Sequence, residues 1–356
     1  VSPSTSHSTS TCCWIAGMFT GLLAARTAAA QPTATTPEVG RIDLHHHILP
    51  PEYIAQMGEK RIGAPAPNGL TPRWSVSQSI EAMDRQGISK AIVSISAPGV
   101  WLGERTASVK LARACNEFAA KMVSDHPARF GFFACLPLPD VKAALAELNY
   151  ALDTLHADGV VLMSNYADRY LGDPAFAPIF EELNRRGAFV FVHPNDCSCN
   201  STTGVPASVV DFPHDTTRAV TSLLYSGTLM RNPRIRMVLS HAGGTLPFLA
   251  SRIVGAAAFV PGVSKEAAAG AMASLKSLYY DTALSVNPAT MAALLKLVPS
   301  SQVVLGTDYP FAPEPFIVVG LTGLSQLGLR PEELAAVQGG TARVLLASTA
   351  QRKEQS

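Results

Sequence analysis

The feature that most constrains the fold is an alternation repeated eight times between residues 41 and 348. Short apolar segments, each followed by at least one helical pattern, run Ile42–Leu49, Lys90–Ser96, Phe130–Leu136, Gly159–Asn165, Ala188–His193, Ile235–His241, Leu278–Ala283 and Gln302–Asp308. They are apolar nearly throughout rather than alternately, which predicts strands buried on both faces. The helical patterns between them include Ser75–Gln86, Thr106–Ser124, a segment from Asp140 to about His156, Pro174–Arg186 and one running from an acidic cap at Asp215 to Met230. About 300 residues in this order predict an α/β chain closed into a parallel (β/α)8 barrel. The competing architecture is an open doubly wound sheet. No glycine-rich phosphate loop follows the first strand, which counts against its nucleotide-binding form.

The ends of these strands carry the chemistry. Strand one closes on His45-His46-His47. Alternation of side chains puts His45 and His47 on one face with Asp43, and His46 on the other. Two imidazoles so placed are half of a divalent-metal site, or else a histidine-rich surface tract with no partner. Strand five ends in His193, strand six in His241 and strand eight in Asp308. A lone histidine at a strand end is commonly a hydrogen-bonded core residue, and Asp308 alone would cap a turn. A parallel barrel brings all five residues to one mouth, where the active site forms. Three histidines and one aspartate suit Zn²⁺, with Mn²⁺ the alternative. Strand four offers no Lys or Glu to bridge a second ion, so one metal is expected. His214 follows strand five and is placed to line the mouth; His46 packs outward or bonds backbone.

The remaining composition sets limits. A formal net charge of +1 gives no electrostatic case for nucleic acid or an anionic membrane, and no apolar run is long enough to span a bilayer. Residues 1–40 stand apart: a Ser/Thr-rich start, an apolar stretch within 12–31 that ends in alanines, and a linker. That stretch reads as an export signal or as a disordered extension. The barrel then occupies 41–348, with a short tail at 349–356. Cys115 and Cys135 fall in a helix and a strand and are expected to be buried thiols. Cys197-x-Cys199, like Cys12 and Cys13, has no second pair at zinc-finger spacing, so neither a structural zinc nor a disulfide framework is expected.

Four stretches together resemble the amidohydrolase superfamily: Asp43-Leu-His-His-His-Ile-Leu-Pro50, Phe191-Val-His-Pro194, Leu239-Ser-His-Ala-Gly-Gly-Thr-Leu-Pro-Phe248 and Leu305-Gly-Thr-Asp-Tyr-Pro-Phe311. More closely they resemble the branch of aminocarboxymuconate-semialdehyde and ortho-hydroxybenzoate decarboxylases. The stretch from Asp211 to Ile253, with Asp215-Thr-Thr-Arg218, is most similar to 6-methylsalicylate decarboxylases. The resemblance implies His45, His47, His193 and Asp308 as ligands of one divalent ion, His241 as the catalytic histidine, and no organic cofactor. It also implies that Arg252 reaches a neighbouring subunit's site in a homodimer with shared active sites, and that the enzyme is cytoplasmic. Two departures point away from a muconate dicarboxylate and towards a smaller aromatic monocarboxylate. Ser79–Asp84 lacks the branch's arginine, and Asn195 stands where a tryptophan follows His-Pro.

The expected reaction is decarboxylation of an ortho-hydroxybenzoate such as 6-methylsalicylate. Asp308 would move the proton, His241 would assist, Arg218 or Arg252 would pair with the carboxylate, and Trp74 would wall the ring or serve the core. The same metal set would also suit hydrolysis of a lactone, ester or amide, and a non-catalytic metal scaffold is the third reading.

Overall fold

The computed structural model describes residues 40–196 and 204–353. The expected amino-terminal segment, the far end of the tail, and Cys12, Cys13, Cys197 and Cys199 lie outside them. Eight strands form one parallel sheet in chain order: β1 (Arg41–His47), β2 (Ile88–Ser94), β3 (Phe130–Cys135), β4 (Gly159–Met163), β5 (Phe189–His193), β6 (Arg236–Leu239), β7 (Tyr279–Asp281) and β8 (Val303–Val304). The two edges meet. Leu44 N donates to Leu305 O at 2.9 Å, Asp308 N to His45 O at 2.8 Å and His47 N to Tyr309 O at 2.6 Å. The barrel expected from the alternation is therefore present.

Burial explains the apolar strands. Phe133 of β3 meets Phe189 and Phe191 of β5 at ring centroid distances of 5.0 and 5.8 Å, and all three are buried. Each such ring contributes roughly 2–3 kcal/mol by leaving water. His45 rests edge-on against Phe191 at 4.9 Å, so the apolar interior is the floor of the histidine cluster. The outward faces of the strands pack on helices whose starts are capped by local side chains. Ser75 accepts from Gln78 N, Glu104 from Thr106 N and Ala107 N, and Asp140 from Ala143 N. Gly187 ends the helix Ala177–Arg186 in the left-handed conformation.

Several boundaries differ from the sequence reading. The helix after β5 runs Asp211–Tyr225, starting four residues before the expected cap. Pro213 fits its first turn, where no backbone donor is needed. Asp215 is consequently inside the helix and fully buried, and a second short helix, Thr228–Arg231, follows Gly227. The helix Val141–Asn149 gives way to a wider π-type turn, Tyr150–Thr154, before His156. Strand β8 ends at Val304 instead of running to Asp308, which takes φ 63°, outside strand geometry. The approach to β1 is close there, since a Cβ on Gly306 would lie 2.8 Å from His45 Cβ. No helix among the described residues is long and apolar enough to cross a membrane.

Candidate metal centre and active site

Strand β1 delivers His45 and His47 to the carboxyl end of the barrel, and their Nε2 atoms lie 3.0 Å apart. Strand β5 supplies His193, whose ring centroid is 4.7 Å from that of His47. Asp308 arrives from the irregular segment after β8 with φ 63°, and its Oδ1 lies 3.2 Å from Nε2 of both His45 and His47. One donor atom from each of these four buried residues lies within 4.8 Å of the other three. Among the described residues this is the one such group.

The outer ring nitrogens set the character of the inner ones. His45 Nδ1 lies 2.7 Å from Asp281 Oδ2, His47 Nδ1 3.3 Å from Ser94 O, and His193 Nδ1 2.8 Å from Pro194 O. Each outer nitrogen faces an acceptor and so carries the N–H, which turns the Nε2 lone pairs inward. Two lone pairs and a carboxylate oxygen at 3.0–3.2 Å repel one another unless a cation or a shared proton lies between them. The residues therefore fit a divalent ion of the kind bound by imidazole and carboxylate.

The electrostatics agree. Burial, joined by the charges of His47 and His45, holds the His193 imidazole well below its ordinary value, and burial likewise lowers His47. Both are thus held towards the neutral form that a metal ligand requires. His45 is the exception: burial opposes its charge, but Asp281 and Asp308 push it up to about 10. Burial works against the Asp308 charge as well, yet His45 and its hydrogen-bonding neighbours hold its carboxyl well below the usual range. A proton on His45 and a metal ion are alternatives for one lone pair.

His241 sits beside this group, with Nε2 3.3 Å from Asp308 Oδ2 and Nδ1 buried without a partner. It begins a left-handed turn, with φ 53° at His241 and 55° at Ala242. Gly243 and Gly244 continue it, and a Cβ on Gly244 would lie 2.0 Å from Pro213 O. The Gly-Gly of the sequence motif is thus the condition for packing this turn under the helix Asp211–Tyr225. Backbone N of Asn195, two residues past His193, donates to Ser164 Oγ at 2.8 Å, and its Oδ1 is buried without a partner. Ser164 in turn donates to the buried Asp215, which also accepts from Asn165 Nδ2 at 3.0 Å and Tyr170 OH at 2.6 Å.

The other sequence candidates are placed elsewhere. Trp74 donates to Ser79 Oγ at 3.2 Å and packs on Phe118, on the His46 side of β1. His214, Arg218 and Arg252 are exposed, with Arg218 beside the Tyr170 hydroxyl, and none enters the four-residue group. Asp43 also leaves the expected face. Strand β1 bulges against β2 between Asp43 and His46, which breaks the simple alternation. The Asp43 carboxylate accepts from Thr307 Oγ1 at 2.6 Å and bonds His46 Nδ1 at 3.0 Å, while His46 Nε2 meets Ser79 Oγ at 3.0 Å. His46 thus bonds side chains, not backbone. Asp281 was missed by sequence reasoning, although its position at a strand end is the very signal that singled out His193 and His241. A small cleft between β7, β8 and the helix Glu314–Leu324, lined by Thr282, Leu305, Thr307 and Ile317 among others, carries no titratable side chain.

The comparisons with known proteins agree on the family and the fold. The family model described as Amidohydrolase matches residues 42–347. Decarboxylase yanB of Aspergillus niger is 40% identical over 291 residues, 77% of this chain and 78% of that one. The 6-methylsalicylic acid decarboxylase of Penicillium expansum is 36% identical over 310 residues, 85% of this chain and 95% of that one. A crystal structure of a dihydroxybenzoic acid decarboxylase from Polaromonas sp., with bound manganese and 2-nitroresorcinol, shares the fold at a TM-score of 0.70. It is 21% identical, over 86% of this chain and 97% of that one.

Proposed function

The chain belongs to the amidohydrolase family, in the branch that holds the 6-methylsalicylic acid and aminocarboxymuconate-semialdehyde decarboxylases, and from that premise we propose that it is a metal-dependent, non-oxidative decarboxylase of a small ortho-hydroxybenzoate. The observation that carries the reading is the convergence of three inward lone pairs and Asp308 within 4.8 Å, beside His241. It occurs in a chain that covers 95% of a 6-methylsalicylic acid decarboxylase.

His45, His47, His193 and Asp308 would hold the ion, with zinc or manganese suited to the donor set. When bound, that ion supplies positive charge that orients the substrate carboxylate and its neighbouring hydroxyl oxygen. The ring carbon bearing the carboxylate must gain a proton before carbon dioxide leaves. Asp308 is ionised at rest, so it first takes a proton from His241 Nε2, 3.3 Å from its Oδ2, and then gives that proton to the ring carbon. His241 is made good at Nδ1, which is free to take a proton from the substrate hydroxyl or water. The dry Phe191 floor keeps bulk water from competing for that proton. Arg218 or Arg252 pairs with the incoming carboxylate.

Where Arg252 is the partner, the pairing crosses a homodimer interface. Its support is the exposure of Phe248 and Phe259, 85% and 86%, on and just beyond the helix Leu246–Ala257 that carries Arg252. Large rings in water flanking an arginine are the composition of an interface core.

The test is incubation of the metal-loaded protein with 6-methylsalicylate, 2,6-dihydroxybenzoate and simple lactones. Carbon dioxide and 3-methylphenol from 6-methylsalicylate are the expected products. A ring-opened acid from a lactone, with the aromatic acids untouched, would overturn the proposal.

A further inference from the structure

Asp281 ends β7 and is completely buried, yet it stands outside the four-residue metal group. Its two oxygens have different duties. Oδ2 accepts from His45 Nδ1 at 2.7 Å. Oδ1 accepts from the backbone N–H of His241 at 2.7 Å and from that of Ala283 at 3.0 Å. One rigid carboxylate therefore joins a metal ligand on β1 to the histidine that follows β6.

Resting on the decarboxylase reading above, we propose that Asp281 is a positioning residue that locks the His45 lone pair onto the metal and, through the His241 amide, fixes the acid/base histidine in register with it. Both connections are needed locally. His45 has no other acceptor for its outer N–H among the hydrogen bonds of the described residues. His241 and Ala242 hold left-handed backbone that non-glycine residues rarely adopt, so their turn depends on tethers such as the His241 N–H.

A carboxylate can serve donors with both oxygens, whereas an amide can serve them with only one. Asp281→Asn keeps the shape and burial but must lose one connection. Turning Nδ2 towards His241 and Ala283 would forfeit two backbone hydrogen bonds, so Nδ2 faces His45 instead. His45 then takes its proton on Nε2, where the metal ligand lone pair should be.

The experiment compares wild type and Asp281→Asn by circular dichroism, by zinc affinity in competition with a chromophoric chelator, and by imidazole ¹⁵N–¹H spectra of the zinc-loaded protein. The expected result is a native fold, zinc affinity about 10- to 100-fold weaker, and loss of a protected low-field His45 Nδ1 proton present in the wild type. A merely structural aspartate would change stability and leave that proton and the zinc affinity alone; that outcome overturns the proposal. Should the variant fail to fold, absence of the protected His45 Nδ1 proton from the zinc-loaded wild type overturns it equally. Normal zinc binding in the wild type with no turnover of aromatic acids would sink the decarboxylase reading and leave this assignment standing. Normal zinc affinity in Asp281→Asn with normal turnover would do the reverse.

Discussion

The turn that carries His241 admits a quantitative test through its second glycine. Gly244 has φ +66°, and a Cβ built there lies 2.0 Å from Pro213 O, 2.8 Å from Pro213 C and 2.9 Å from Pro213 Cα. All three are backbone atoms of the helix Asp211–Tyr225, so no side-chain rotation relieves the clash. Gly262 has φ +86° with nothing within 4 Å of its Cβ position. An alanine at Gly262 therefore meets the backbone strain alone, about 1–2 kcal/mol. An alanine at Gly244 meets that strain and must also push the helix start away from the turn, for a total of roughly 3–5 kcal/mol. At about 2–4 °C per kcal/mol for a domain above 150 residues, Gly244→Ala should lower Tm by roughly 10 °C and Gly262→Ala by about 4 °C. Differential scanning calorimetry of both variants gives the difference. Gly244→Ala should also lose most activity, because the displaced turn carries His241 away from Asp308. Equal Tm losses in the two variants would refute the steric argument.

A second expectation concerns Glu182, held down to about 2 first by its hydrogen bond with Arg185, with burial opposing and Arg186 assisting. Its folded-state value is depressed, so its stabilisation is present above the ordinary 4.5 and is lost as pH falls towards 2. Arg185 is exposed, so solvent screens the pair and leaves about 1 kcal/mol; in urea titrations Glu182→Gln should be weaker by that amount at pH 7, with the gap roughly halved by pH 3. A gap independent of pH would contradict the assignment. Subunit sharing predicts that inactive Arg252→Ala and Asp308→Ala proteins regain partial activity when mixed, because one hybrid site then holds both native residues. Failure to regain any, with exchange of subunits verified, removes the shared site.

The sequence revealed the barrel because parallel strands buried on both faces must be apolar along their whole length, and that pattern is local. The strand ends were legible for a related reason: His193, His241 and Asp308 interrupt apolar runs where only a mouth residue has cause to be polar. What the sequence hid depends on distant partners. The bulge in β1 that turns Asp43 towards His46 is tied to Thr307, 264 residues away. The buried role of Asp215 depends on Ser164, Asn165 and Tyr170 arriving from the far side of the chain, so locally it resembled a helix cap. Asp281 was hidden by its strand boundary: the expected strand ran on to Ala283, so the residue that ends β7 read as interior to it. Trp74 stayed open between ring wall and core because the ring it packs on, Phe118, lies on a helix distant in the chain.

Four inward donors placed to hold one metal ion carry the proposed function. Isothermal titration of zinc into chelator-stripped protein, alongside His193→Ala, tests them most directly. Wild type should take up one ion per chain with release of protons, and the variant should bind at least tenfold more weakly. Stoichiometric binding that survives unchanged in His193→Ala, or no binding by the wild type, would contradict it.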